Sequence, residues 1–309
     1  MIPNRRRQPY VESHRILELR TAATLVPDLH GENEAALRPF DMRQHFVRGG
    51  FEASLYAAND AVSADWLDRH LREDMPLLPP EFQPQVFWAT LAKRNGDPAT
   101  SIQRALKRKI AVWQIALDAA QRDGLLFELP FWPDAAHGRA PLIYFGDTGV
   151  WHRAFAPLRD PNEVRNVRYD AKAWEGFNVN AFRRLTLPRA DCYVWRRDGA
   201  QAGEIDLVIA WRSGERWAVE ISSDPNKRAT PAFYRGVEVV GAVRKLIVRP
   251  GASRDDLRQG CEYCDLEEAL RNVAEVCALN AQPMPGPPAT TRDEPSTYDA
   301  GRLRTQHQS

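Results

Sequence analysis

GEIDLVIAWRSGERWAVEIS, residues 203–222, is the stretch from which the central sheet of this chain can be predicted. Two apolar runs flank a Ser-Gly turn, a pattern typical of two buried β-strands joined in a hairpin. Glu204 and Asp206 lie near the start of the first run, and Glu220 lies near the end of the second. A buried carboxylate is costly unless a metal ion, a salt bridge or hydrogen bonds compensate it. The hairpin therefore predicts ion pairs or a site for a hard divalent cation.

The bulk composition is that of an ordinary soluble protein. The 309 residues are 43% hydrophobic and 27% charged, and this length allows two domains with a sizeable core. A net charge of +1 excludes a general polycation, so DNA binding would depend on local basic patches. No apolar run approaches the roughly 18 residues of a membrane span, so no membrane partner is expected. Four cysteines without a disulfide pattern, and an N-terminus without an apolar signal region, favour a cytoplasmic setting.

Strand and helix patterns alternate over residues 139–280, which predicts an α/β (α+β) domain. A helix is expected at 171–186, before the strands CYVWRR, EIDLVIAW and RWAVEIS. A second helix near 230–240 and a strand RKLIVRP follow. The predicted domain is thus a mixed sheet with helices on its faces.

Residues 81–138 have a different character. Three short helical segments, at 85–94, 100–107 and 110–122, precede the strand-like run LLFELPFW, an order typical of a winged helix-turn-helix. Residues 1–80 are predicted to form a small, mainly helical unit, with a strand-like run at 14–19. The tail at 281–309 is rich in Pro, Ser, Thr and charge, so it is predicted to be disordered.

Eight motifs, taken together in their order and spacing, carry a family resemblance. They are FVRGGFEASLYA (46–57), DWLDRHLREDMPLL (65–78), LLFELPFW (125–132), LIYFGDTGV (142–150), AWEGFNVNAF (173–182), YVWRRDGAQAGEIDLVI (193–209), AVEISSDP (218–225) and LIVRPG (246–251). Over roughly residues 14–255 the chain resembles bacterial and archaeal AAA+ ATPases that carry a C-terminal PD-(D/E)xK restriction-endonuclease-like domain of unknown function. The resemblance implies a nuclease-like sheet at 139–280 and a remnant of the ATPase lid at 1–80.

The nucleotide-binding part of that family has no counterpart here. No GxxxxGK[ST] loop occurs in the sequence, and this loop supplies the amides and lysine that hold ATP phosphates. We therefore expect no ATP binding. The chain resembles a truncated or split relative, and a separately encoded ATPase half is a candidate partner.

The resemblance also implies a catalytic set. Glu175, Asp206 and Glu220 would converge on Mg²⁺, with a lysine two positions after the second strand acid. Here that position is Ser222, and the nearest substitute is Lys227 in the loop SSDPNKRAT, where a lysine is ordinarily solvated. Serine carries no charge with which to stabilise a phosphate or to orient water.

The loss of the strand lysine makes a catalytically degenerate, nuclease-like protein the first expectation, one that acts as a DNA- or partner-associated module. The alternatives are a metal-dependent DNA nuclease with a shifted lysine, or one half of a split ATPase. A further alternative concerns the acids themselves. Glu175 would then face solvent, and the two strand acids would pair with Arg196, Arg197 or Arg244.

Basic residues precede the third helix of the winged-helix-like block. Arg104, Lys107, Arg108 and Lys109 stand where a recognition helix would begin, so they are candidate contacts for DNA phosphates. The alternative is that this block packs against a neighbouring part of the same protein.

Overall fold

The computed structural model describes residues 42–73, 78–133, 138–155, 171–199, 202–252, 256–258 and 260–279. The strand-like run predicted at 14–19 and the tail predicted at 281–309 lie outside these ranges. Within them, none of the helices combines the length and the apolar character needed to cross a membrane.

The described residues form helices and strands in a mixed order. The helices are α1 (Met42–Arg48), α2 (Glu52–Leu55), α3 (Asp60–Glu73), α4 (Pro84–Lys93), α5 (Ala99–Ala105), α6 (Ile110–Arg122), α7 (Thr148–Phe155), α8 (Ala171–Thr186), α9 (Pro231–Val240) and α10 (Leu266–Leu279). The strands are β1 (Asp97–Pro98), β2 (Leu126–Leu129), β3 (Leu142–Phe145), β4 (Ala190–Arg197), β5 (Gly203–Trp211), β6 (Arg216–Ile221), β7 (Arg244–Val248), β8 (Asp256–Arg258) and β9 (Cys261–Cys264).

The larger sheet is mixed and has the strand order β4-β5-β6-β7-β9-β8. Strands β4, β5 and β6 are antiparallel neighbours, and β7 runs parallel to both β6 and β9. Helix α9 makes the crossover from β6 to β7 that parallel neighbours require. It buries Phe233 and Val240 against one face of the sheet, whereas α8 and α10 pack on the other face. The prediction of an α/β fold with a mixed sheet and flanking helices is confirmed at this level.

The smaller sheet has the order β1-β3-β2, with both pairings antiparallel. Together with three helices it forms a unit in the chain order α4, β1, α5, α6, β2, β3. Leu129 of β2 lies opposite Leu142 of β3. The domain boundary predicted at 138/139 therefore separates two paired strands of one sheet.

The N-terminal helices are attached to this unit through α7, at whose start Asp147 lies. Its buried carboxylate accepts hydrogen bonds from the backbone N–H groups of Val150, at 2.8 Å, and Gly50, at 2.7 Å. The first bond caps α7, and the second ties the turn after α1 to it. Gly49 in that turn has a φ of 74°, a left-handed conformation that glycine adopts at no steric cost.

Candidate active site at the end of strands β5 and β6

Strand β5 carries a β-bulge at Asp206, the second of its two acidic positions. Asp206 and Leu207 together lie opposite Val194 of β4, where the register between the two strands shifts. On the other side of β5, the paired residues at this end are Leu207 and Val219 of β6. Past them, Oδ2 of Asp206 accepts a hydrogen bond from the backbone N–H of Ile221 at 2.7 Å. The bulge thus turns Asp206 into the gap where the ladder between β5 and β6 ends.

Glu220 is the acid that β6 brings to this gap. It is 7% exposed, and Nζ of Lys227 lies 2.6 Å from its Oε1. The lysine side chain retains 31% of its exposure. Lys227 is therefore ion-paired at the strand acid rather than solvated, contrary to the ordinary expectation for a loop lysine.

Glu175 reaches the same region from helix α8. Its Oε1 accepts a hydrogen bond from the phenolic hydroxyl of Tyr144, which is fully buried in β3 of the smaller sheet. Glu175 is half-buried and held by this hydrogen bond, whereas the alternative expected it to face solvent. A side chain from the smaller sheet holds this acid.

Asp206 is the acid whose pKa responds to the charges of both other acids. Burial raises the pKa of Asp206 well above its usual range, and the charges of Glu175 and Glu220 raise it further. Burial also raises the pKa of Glu175, against the lowering effect of the Tyr144 hydrogen bond. Burial raises the pKa of Glu220 although the ammonium of Lys227 opposes this. The three carboxylates form one acidic cluster, defined as Glu175, Asp206 and Glu220.

Lys227 responds to the same cluster. Burial by itself would lower the pKa of this lysine, but the hydrogen bond and the charge of Glu220 raise it, with a further contribution from Asp206. The lysine therefore stays charged at neutral pH, as a group that stabilises negative charge must.

Two of the three arginines proposed as alternative partners of the strand acids, Arg196 and Arg244, pair with other residues. Nε of Arg196 donates to Oε1 of Glu204 at 2.7 Å, and Nε of Arg244 donates to Oε1 of Glu262 at 2.6 Å. These ion pairs do not neutralise Asp206 or Glu220. The charge of Arg196 does lower the pKa of Glu175, so it partly offsets the effect of burial on that acid.

The cluster has the donor chemistry of a divalent-cation site, but it is not arranged as a shell of three ligands. Carboxylates are the ligands that a hard cation prefers, and a cation would relieve the repulsion that raises their pKa values. Among the described residues, however, no group of three or more His, Cys, Asp or Glu side chains could hold a metal ion as it stands. The hydroxyl of Tyr144 occupies an oxygen of Glu175. Asp206 and Glu220 are thus the residues that would hold a cation first.

The four basic residues predicted to contact DNA lie around the start of α6, and they divide into two kinds. Arg104, Lys107 and Lys109 are exposed. Arg108 is half-buried; its Nη2 donates to the carbonyl of Glu81 at 2.5 Å. Arg108 therefore stabilises its own fold, while the other three present their charges to solvent.

Two contributors to the site were missed at the level of sequence. Tyr144 lies in β3, distant in sequence from Glu175. Nothing in the pattern LIYFGDTGV indicates that its hydroxyl contacts a side chain of α8. Arg249 holds the backbone of Lys227 through a hydrogen bond of 3.0 Å to its carbonyl. Its only sequence signal is its place directly after the strand β7.

No family model, curated protein or solved structure matches this chain. The function is therefore inferred from the chemistry of the cluster. The buried carboxylate of Glu220, the half-buried carboxylates of Glu175 and Asp206, and one charged lysine lie where two strands separate. Such a group of strongly perturbed side chains is typical of a functional site.

Proposed function

We propose that this protein is a metal-dependent DNA nuclease in which Lys227 replaces the strand lysine of the PD-(D/E)xK class. One observation carries the proposal: Nζ of Lys227 lies 2.6 Å from Oε1 of Glu220, within the same cluster as Asp206. Ser222, directly after β6, carries no positive charge, but Lys227 supplies one to the site.

The architecture supports the proposal. Helix α8, the antiparallel strands β4 to β6, the crossover helix α9 and the parallel strand β7 agree with the flanked mixed sheet that the resemblance implies. The unit α4-β1-α5-α6-β2-β3 agrees in the same way with a winged helix-turn-helix. A nuclease needs both a cutting site and a surface that holds the duplex, and these two units provide one each.

The roles of the residues follow from their chemistry. A bound divalent cation would lower the pKa of a water ligand and offset charge on the phosphate oxygens. Asp206 and Glu220 would hold it with their carboxylate oxygens. The ammonium of Lys227, ion-paired with Glu220 and partly exposed, would donate a hydrogen bond to a phosphate oxygen, where a fixed positive charge stabilises the developing negative charge.

The exposed basic residues at the start of α6 supply the DNA contact in this proposal. Arg104, Lys107 and Lys109 would bind phosphates of the duplex through charge, a contact that carries little sequence information. With a net charge of +1 on the whole chain, binding would be local and sensitive to salt.

A second function is favoured by a different observation. The hydroxyl of Tyr144 already occupies one oxygen of Glu175, and this would suit a non-cleaving module that binds DNA or a partner such as a separately encoded ATPase half. In that protein the acidic cluster would have no catalytic role, and cation binding would be weak or absent.

The test is DNA cleavage by the full chain on supercoiled and linear DNA, with Mg²⁺ or Mn²⁺. We expect cleavage by the wild type, and losses of about 10²–10³ in rate for Lys227→Met because one charge-stabilising donor is removed. Asp206→Asn should abolish cleavage, and Lys93→Met, an exposed lysine of α4, should leave it unchanged. A wild type that leaves both DNAs intact with either cation would refute the nuclease and favour the non-cleaving module.

A further inference from the structure

The segment that delivers Lys227, residues 222–230 between β6 and α9, is built from successive turns. The hydroxyl of Ser222 accepts a hydrogen bond from the backbone N–H of Asp224 at 3.1 Å. The carboxylate of Asp224 accepts from the N–H of Asn226 at 2.9 Å, and its carbonyl accepts from the N–H of Lys227 at 3.1 Å. These bonds reverse the chain, so the lysine side chain returns to the strand that it has just left.

The far side of the segment is attached to the ends of two neighbouring strands. Nη1 of Arg249, directly after β7, donates to the carbonyl of Lys227 at 3.0 Å. The guanidinium of Arg249 lies over the ring of Tyr263 in β9, 4.8 Å from the ring centroid. The hydroxyl of Tyr263 accepts from the backbone N–H of Ala229 at 3.3 Å. The carbonyl of Lys227 and the backbone N–H two residues later are thus held by the side chains of Arg249 and Tyr263.

The attachment of this segment compensates for the absence of a lysine at position 222. A lysine two positions after Glu220 would be placed by the strand itself, but one in a loop has the freedom of the loop as well as its own rotamers. A charged donor that is out of place by about 1 Å can lose much of its effect on a reaction, of the order of 10²-fold. Fixing the backbone of Lys227 removes the larger part of that freedom.

We infer that Arg249 is a positioning residue, and that with Tyr263 it forms a strut that aims the ammonium of Lys227 at Glu220. The strut is a feature of the protein without DNA or metal bound. Its catalytic consequence rests on the proposed function, because only a cleaving site requires an aimed lysine.

The test measures the order of the Lys227 side chain by NMR at a fixed pH. The chain has only six lysines, so their side-chain signals can be assigned by substitution. In the wild type, we expect the Lys227 ammonium protons to exchange slowly with water and its Cε to show a high order parameter. In Arg249→Met, both signals should become those of an exposed lysine, and Arg249→Lys, which can still donate to the carbonyl, should restore them in part.

Arg216→Met is the matched control. Arg216 also donates to a backbone carbonyl, that of Val240 at 2.7 Å, and lies over an aromatic ring, that of Trp132, 5.2 Å from its centroid. A general loss of packing would affect both variants, whereas loss of the strut should change Lys227 in Arg249→Met alone. If Arg249→Met does not fold, Tyr263→Phe removes the bond to Ala229 and should raise Lys227 mobility to a smaller extent.

The outcomes separate the strut from the nuclease. Wild-type order of Lys227 in both Arg249→Met and Tyr263→Phe would overturn the strut. An ordered lysine in the wild type that becomes mobile in these variants, in a protein that cuts no DNA, would keep the strut and reject the proposed function. In a protein that cuts DNA, Arg249→Met should lower the cleavage rate about tenfold or more with little change in KM, since positioning acts on the reacting step.

Discussion

The two sides of the acidic cluster are held in different ways. On one side, the fully buried Tyr144 of β3 holds Glu175 through a hydrogen bond between two regular elements. On the other side, Lys227 holds Glu220 from a loop whose lysine side chain is 31% exposed. The first arrangement is fixed when the core packs, whereas the second depends on a few hydrogen bonds at the surface. In the proposed nuclease, the part of the site with the most chemical consequence would therefore be the part that is easiest to alter.

The strongest way to probe this difference is to move the lysine from the loop to the strand. Lys227→Met should lower the rate of DNA cleavage by about 10²–10³. Adding Ser222→Lys should restore a substantial part of that rate, because the new ammonium would lie beside Glu220 at the end of β6. Ser222→Lys alone should change cleavage little, since Lys227 already holds Glu220. The measurement is the initial rate of plasmid nicking. A double variant as inactive as Lys227→Met would show that the strand position no longer serves the site.

The basic residues allow a second comparison, between exposed charges and one bound within the fold. Replacing Arg104, Lys107 and Lys109 together by Gln should weaken DNA binding at least tenfold at moderate salt and reduce the slope of log K against log salt by about 3, one for each lost phosphate contact. Arg122→Gln, at the opposite end of α6, is the control and should change neither. Fluorescence anisotropy over a range of salt concentrations gives both quantities. An unchanged salt slope in the triple variant would remove α6 from the DNA contact.

The protonation of Asp206 gives a prediction about stability. Because burial and its acidic neighbours raise the folded pKa of Asp206 above 3.8, the folded state binds this proton more tightly than the unfolded state. The contribution of Asp206 to the free energy of unfolding is then greatest below the unfolded pKa, and it is lost as the pH rises through the folded pKa. Asp206→Asn removes the charge and should raise Tm by a few degrees at pH 7–8, where each unit of pKa elevation costs about 1.4 kcal/mol.

The gain from Asp206→Asn should shrink as the pH falls and should vanish below about 4, the unfolded value, where the wild-type carboxyl is protonated in both states. Thermal unfolding at several pH values measures it. A Tm that falls at neutral pH in Asp206→Asn would mean that Asp206 is stabilised by partners that outweigh its burial.

The smallest effect is expected on the Tyr144 side. Tyr144→Phe keeps the buried ring and removes the hydrogen bond to Glu175, which should cost about 1 kcal/mol of stability. It should also free Glu175 to join Asp206 and Glu220 and so raise Mn²⁺ affinity severalfold. Isothermal titration with Mn²⁺ checks this, and Phe127 stacked on Tyr144 offers a control, because Phe127→Leu alters packing without touching the hydroxyl. Weaker Mn²⁺ binding in Tyr144→Phe would show that the tyrosine orients Glu175 for the cation rather than withholding it.

The predictable parts of this molecule are those encoded in local pattern. The hairpin with its two acidic positions, the helix carrying Glu175 and the three short helices upstream follow from apolar spacing and turns. The bulge at Asp206 does not, because it depends on how β4 and β5 pair. The place of Lys227 depends on hydrogen bonds that its segment makes to Arg249, directly after β7, and to Tyr263 of β9, and no spacing rule contains them. The pairing of β3 with β2 is missed for the same reason, since the segment between them gives no signal of a hairpin.

A crystal of the full protein soaked in Mn²⁺, with its anomalous scattering recorded, tests the central claim most directly. That claim is that the acidic cluster is a cation site served by Lys227. We predict an anomalous peak within about 2.0–2.6 Å of carboxylate oxygens of both Asp206 and Glu220, the range for oxygen ligands of such cations. The Lys227 ammonium should remain beside the site, and the peak should be absent in Asp206→Asn. No peak at saturating Mn²⁺, with the Lys227–Glu220 ion pair unchanged, would contradict the claim and leave the cluster as an inert feature of the fold.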